Sequence, residues 1–200
     1  MARHFNIADM FELVADKVPE RTALVCGAQR ATYAELDQRA NALAHFLREH
    51  GVGAGDHVGL YLYNCNEYLE GMLACFKLRA VPININYRYV EEELSYIFNN
   101  ANLVACIHHR EFAPHIAAVH AASPALTTLV YVDDDSAADA ATIHSTGYED
   151  ALAGRSRARD FPERADDDLF ILYTGGTTGM PKGVMWPHKN LFHAAMGGGG

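Results

Sequence analysis

Runs of apolar residues as short as a strand alternate with segments of helical period along most of this chain. That alternation restricts the fold more than any other feature. Ile7, Met10, Phe11, Val14 and Val18 recur at helical spacing, with Asn6 placed to cap the helix and Pro19 to follow it. Residues 22–26 read as a strand and 27–30 as a turn. Thr32 and Glu35 then stand at capping-box spacing before a second helix whose stripe is Leu36, Ala40, Leu43 and Leu47, with Gly51 placed to end it. Further strands are expected near 58–62, 81–85, 103–107 and 126–132, and helices at 68–78, 91–99 and 111–122. Strands separated by helices of about ten residues imply a largely parallel sheet covered on both faces. The predicted fold class is α/β.

Half of the 200 residues are hydrophobic, enough for one substantial core. Residues 133–145 are rich in Asp and Ala and read as a surface excursion; 148–153 read as a turn or two of helix and 155–168 as charged loop. The net charge of -9 disfavours nucleic acid and anionic membrane surfaces as partners. The acidic runs at 91–93, 133–135 and 166–168 read as solvated faces or turns. Cys26, Cys75 and Cys106 sit in apolar stretches like buried thiols, Cys65 has no pairing pattern, and no Cys/His spacing suggests a metal site. The eleven histidines, including the adjacent His108 and His109, read as structural or surface residues. There is no apolar leader at the N-terminus and no run of membrane-spanning length, so a soluble cytoplasmic protein is expected.

The chemistry is concentrated near the end of the chain. The apolar run 169–173 feeds into Thr174-Gly175-Gly176-Thr177-Thr178-Gly179-Met180-Pro181-Lys182-Gly183. Glycines at 175, 176 and 179 free the backbone for tight turns and close ligand approach, and successive N–H groups in such a turn form an anion nest. Thr174, Thr177 and Thr178 add hydroxyls and Lys182 a positive charge, the set a polyphosphate needs. The Walker A template fails because Pro181 precedes Lys182 and Gly183 follows it; the dinucleotide fingerprint fails because Gly175 and Gly176 are adjacent. The plain alternative is a structural Gly/Thr turn.

The segment 173–183, YTGGTTGMPKG, resembles the phosphate loop of the AMP-forming adenylating superfamily: acyl-CoA synthetases, aryl-CoA ligases, luciferases and peptide-synthetase adenylation domains. Three earlier blocks strengthen the resemblance. Residues 31–36 (ATYAEL) are similar to its early TYxEL segment, 51–64 (GVGAGDHVGLYLYN) to its GxxxGDxVxLxLxN stretch, and 80–94 to its AVxVPLNxRYxxEEL segment. One departure is Gly175, where relatives commonly carry Ser; this removes a hydroxyl and leaves the backbone nest intact.

The resemblance implies that ATP, Mg2+, coenzyme A and a small-molecule carboxylic acid, of fatty or related type, are the ligands. Thr174, Gly175, Gly176, Thr177, Thr178, Gly179 and Lys182 would hold the ATP phosphates, with Lys182 offsetting charge on the departing pyrophosphate. His188 matches a family position at the start of the next helix, where helix start or core packing competes with catalysis. The family's adenine, ribose, hinge and lid segments, including its main catalytic Lys, are not found in 184–200. Residues 1–200 are therefore expected to be the N-terminal portion of one adenylating domain, without the C-terminal lid. Delivery to a carrier protein, luciferase-like oxidation and a catalytically silent ATP-binding module stay open beside CoA ligation.

Overall fold

The computed structural model describes residues 5–176 and 179–195. The chain opens with helix α1 (Ile7–Lys17), the hairpin β1 (Thr22–Cys26) and β2 (Gln29–Thr32), and the long helix α2 (Tyr33–Glu49). Then come β3 (His57–Tyr61), α3 (Asn66–Leu78), β4 (Val81–Asn84), α4 (Glu91–Asn100) and β5 (Leu103–His109). A 3-10 turn at Arg110–Phe112 leads into α5 (Ala113–His120), β6 (Thr128–Val132), β7 (Thr146–Gly147) and α6 (Tyr148–Leu152). The last elements are β8 (Leu169–Gly176), β9 (Gly179–Pro187) and α7 (His188–Ala195).

Among the described residues seven strands form one sheet in the order β7-β6-β5-β3-β4-β8-β9, all neighbours parallel except the antiparallel pair β8–β9. On one face α4 and α5 bury Leu94, Ile97, Phe98 and Ile116 against Tyr61, Ile83 and Leu103. On the other, α2, α3 and α6 bury Leu43, Leu47, Ala74, Leu78 and Tyr148 against Leu60, Ile107 and Val130. The α/β expectation holds, and its physical basis is visible: strands buried on both faces carry near-continuous apolar runs.

Local signals decide several boundaries. Thr32 accepts from the Glu35 backbone N–H at 3.2 Å while the Glu35 carboxylate accepts from Thr32 N–H at 2.8 Å, so the capping box at α2 forms as predicted. Asn6 caps α1 through Ala8 N–H at 2.9 Å. Ile7 and Phe11 of the predicted stripe pack against Leu36, Ala40 and Phe76, but the buried residues of α1 are Ala8 and Ala15, and Val14 is exposed. Residues 27–30 are more than a turn: Gln29–Thr32 is the second strand of a hairpin, with Cys26 paired to Gln29. Its pattern of exposed Gln29 and Arg30 carries no apolar alternation to read. The helix expected over 111–122 begins at Ala113, with Pro114 in its first turn as that residue favours.

The charged segment 155–168 turns out to be a strap across the helical face. Arg159 pairs with Asp37 at 3.0 Å and with Asp16, and Arg164 pairs with Glu12 at 2.8 Å and with Asp9. Beneath it Lys77 is fully buried between Glu12 and Asp37. Burying an ammonium is tolerable only because two carboxylates neutralise it. The excursion at 133–145 likewise carries structure, a 3-10 turn at Ala140–Ile143 whose Ala140 and Ile143 enter the core. Cys75 and Cys106 are buried as expected, but Cys26 is only half-buried on the β1–β2 hairpin. His108 is buried, and desolvation pulls its pKa down to about 4, so it is neutral at neutral pH.

The sheet ends in an apolar edge. In β9, Val184, Met185 and Trp186 are all at least 38% exposed, so apolar atoms face solvent on both sides of an edge strand. Residues 1–200 expressed alone are expected to self-associate through this edge. Light scattering should show multimers for the parent and a marked shift toward monomer for Met185→Lys with Val184→Lys. Monomers of the parent at micromolar concentration would contradict this.

Candidate functional site

Strands β3 and β4 send their connections to opposite faces, β3 through α3 and β4 through α4, and β5 returns to the far side of β3. A crevice outside the carboxyl ends of adjacent strands follows from that reversal. The structure has a cleft of about 420 Å³ there. Leu62, Asn64 and Tyr68 line it from the β3 side, Asn84 and Tyr89 from the β4 side, and Tyr173 and Gly175 from β8. Its walls are held in place by hydrogen bonds. The Tyr68 hydroxyl donates to Asn84 Oδ1 at 2.8 Å, the Tyr61 hydroxyl to the Tyr89 carbonyl at 2.6 Å, and the Tyr173 hydroxyl to Asn100 Oδ1 at 2.7 Å. Burial pushes the Tyr68 hydroxyl up to about 12, so it stays a neutral donor.

The Gly/Thr/Lys segment follows an apolar strand as predicted, and its described residues are the facing ends of two paired strands: Thr174–Gly176 close β8 and Gly179–Gly183 open β9, which runs on to Pro187. Pro181 falls between the Thr174–Lys182 and Gly176–Gly179 pairs, at the register shift, where a residue without a backbone N–H is tolerated. Gly183 permits the tight pairing, since a Cβ on it would lie 3.1 Å from Ile171 Cγ2 and 3.2 Å from the Tyr173 ring.

Thr174 pairs across the hairpin with Lys182, and Gly176 with Gly179, with a register shift between them. Cross-strand partners share a face, so Thr174 and Lys182 lie on the same side of the hairpin; Lys182 is exposed. Gly175 borders the cleft, and among the described residues the nearest atom to a Cβ built there is Tyr89 Oη at 4.0 Å. Thr177 and Thr178 lie outside the described residues. His188 opens α7 as expected: it is buried, its Nδ1 accepts from Ile7 N–H at 3.3 Å, and its ring meets Phe76 edge-on at 4.7 Å. Burial holds its pKa below the usual range. These contacts give His188 a packing role.

The cleft tyrosines and asparagines were not marked as site residues in the sequence. The available signal was their position just past the ends of β3 and β4, where such crevices form. Among the described residues no group of three or more His, Cys, Asp or Glu is arranged to hold a metal ion.

The AMP-binding enzyme family pattern matches residues 11–199. The chain belongs to the AMP-binding enzyme family. Within that family it is 51% identical over 193 residues to the 3-oxocholest-4-en-26-oate–CoA ligase of Rhodococcus rhodochrous, covering 96% of this chain and 35% of that protein. It is 46% identical to a medium/long-chain-fatty-acid–CoA/3-oxocholest-4-en-26-oate–CoA ligase of Mycobacterium marinum, covering 99% of this chain and 37% of that one. Among solved structures it is similar to the inhibitor-bound N-terminal domain of FACL13 from Mycobacterium tuberculosis, with a TM-score of 0.78 and 31% identity over 92% of this chain and 44% of that one. The chain thus spans little more than a third of the length of these curated relatives.

Proposed function

We propose that this chain is the N-terminal portion of an adenylating domain that activates a carboxylic acid with ATP and passes the acyl group to coenzyme A. The observation that carries this reading is that Gly175 borders a cleft at the carboxyl ends of the sheet, beside the paired Thr174 and Lys182, in a chain of the AMP-binding enzyme family. The residues fit a polyphosphate: glycine backbone without Cβ at 175, 176 and 179, hydroxyls at Thr174, Thr177 and Thr178, and the Lys182 ammonium.

A carboxylate resists thiol attack because oxide is a poor leaving group. In the first step its oxygen attacks the α-phosphorus of ATP, and pyrophosphate leaves. In the second the thiolate of coenzyme A attacks the acyl carbon, and AMP leaves with that oxygen. The hairpin tip would hold the β and γ phosphates, and Lys182 would offset the charge gathering on pyrophosphate. Mg2+, a hard cation, would be carried by phosphate oxygens and lower their charge. The relatives named above act on fatty acids or a steroid-side-chain acid, which supports a large apolar acid as the substrate class. A cytoplasmic location goes with this reading, since ATP and coenzyme A are drawn from that pool. No helix among the described residues is long and apolar enough to cross a membrane.

The test is exchange of labelled pyrophosphate into ATP by the polypeptide that carries these residues. Exchange that depends on an added fatty or steroid acid is expected. Nucleotide binding without exchange under any acid would instead favour a silent ATP-binding module.

A further inference from the structure

Among the described residues the β8–β9 hairpin joins the sheet through β8, registered with β4 at Ile83–Ile171, and β9 is the last strand of the described sheet. Tyr173 ties the middle of β8 to Asn100 of α4 at 2.7 Å, and the aim of the hairpin further depends on how its two feet are held. One foot is Asp168, just before β8, and the other is His188, just after β9; His188 N–H donates to the Asp168 carbonyl at 2.9 Å and closes the pair.

The Asp168 carboxylate is the anchor. It accepts from Arg79 Nε at 3.0 Å, from Asn6 Nδ2 at 3.0 Å and from Ala165 N–H at 3.0 Å, and Arg79 Nη2 lies 2.9 Å away. The same Asn6 caps α1, and the first residue of α1, Ile7, donates to His188. Both feet are thus gripped by the start of α1 and the end of α3.

Arg79 itself is out of place by backbone rules. It caps α3 in the left-handed region at φ +62°, a conformation that suits glycine and is strained for a residue with Cβ. Strain kept at a side chain that reaches the foot of the hairpin points from the outlier to a role. Resting on the reading that the tip holds the ATP phosphates, we propose that Arg79 and Asp168 are positioning residues that aim this hairpin at the nucleotide. Neither touches the phosphates; Arg79 acts through Asp168, and Asp168 through the first residues of β8.

Arg79→Gly separates this role from plain stability. It deletes the guanidinium while relaxing the left-handed backbone, so melting without nucleotide should change little. The Kd and KM for ATP should rise by about tenfold to a hundredfold, the scale of a small misplacement, with KM for the acid unchanged. Arg79→Lys keeps the charge and should recover part of the loss, and Asp168→Asn should reproduce it. A parent that gains no thermal stability from ATP overturns the phosphate reading and this inference together. A parent that does gain, beside an Arg79→Gly variant that gains as much, overturns this inference alone. So does an equal rise in KM for ATP and for acid.

Discussion

Lys182→Ala is expected to slow adenylate formation by about tenfold to a thousandfold, the range for losing one preorganised charge-stabilising donor. The loss should be confined to the first half-reaction. Once pyrophosphate has gone, an ammonium placed for its charge has nothing left to stabilise, so thioester formation from preformed acyl-adenylate should be nearly untouched. Lys182 is exposed on an edge strand opposite Thr174, and the substitution should therefore leave the melting temperature almost unchanged. The two half-reactions are measured separately, by pyrophosphate release and by transfer from synthetic acyl-adenylate. Equal losses in both would assign Lys182 a structural role or a place elsewhere in the cycle.

Glycine substitutions should separate a phosphate nest from a structural turn even more sharply. If the tip wraps a polyphosphate through its N–H groups, Gly176→Val and Gly179→Val should lower ATP-dependent activity by about a hundredfold or more. Melting without nucleotide should barely move. Gly175→Ser should fold and keep most of its activity, since among the described residues its Cβ would meet Tyr89 Oη at ordinary contact distance. Gly183→Ala should behave in the opposite way. Its Cβ would press on Ile171 and on the Tyr173 ring in the hairpin's body, so stability should fall first and activity only as a consequence. Thermal melting with and without ATP and Mg2+, paired with pyrophosphate release on all four variants, tests the ordering. Val variants that gain stability from ATP as the parent does would rule out the nest.

The strand and helix order was legible because each buried element announced itself by period. The α2 stripe of Leu36, Ala40, Leu43 and Leu47 is wholly buried, and its capping box forms as the spacing implies. Elements that do not bury a face were not legible. Strand β2 is mostly exposed, and β9 lies at the edge with Pro181 and Gly183 inside it, so neither shows strand alternation. The strap at 155–168 reads as charged loop because its partners, Asp9, Glu12, Asp16 and Asp37, stand more than a hundred residues away. Ion pairs of that span leave no local pattern. The Gly/Thr/Lys segment stands out by composition, and of its residues Gly175 lines the cleft. The cleft residues Asn64, Tyr68, Asn84 and Tyr89 were not, because only the reversal of connections between β3 and β4 brings them together.

The route of one oxygen atom tests the central claim most directly. Supplying the polypeptide that carries these residues with ATP, Mg2+, coenzyme A and a carboxylic acid labelled with 18O on its carboxylate allows mass spectrometry of the released phosphorus products. If the acid is activated as an acyl-adenylate, AMP must appear carrying a single labelled oxygen, with pyrophosphate unlabelled. Label in inorganic phosphate alongside ADP, or AMP released without label, would contradict the account.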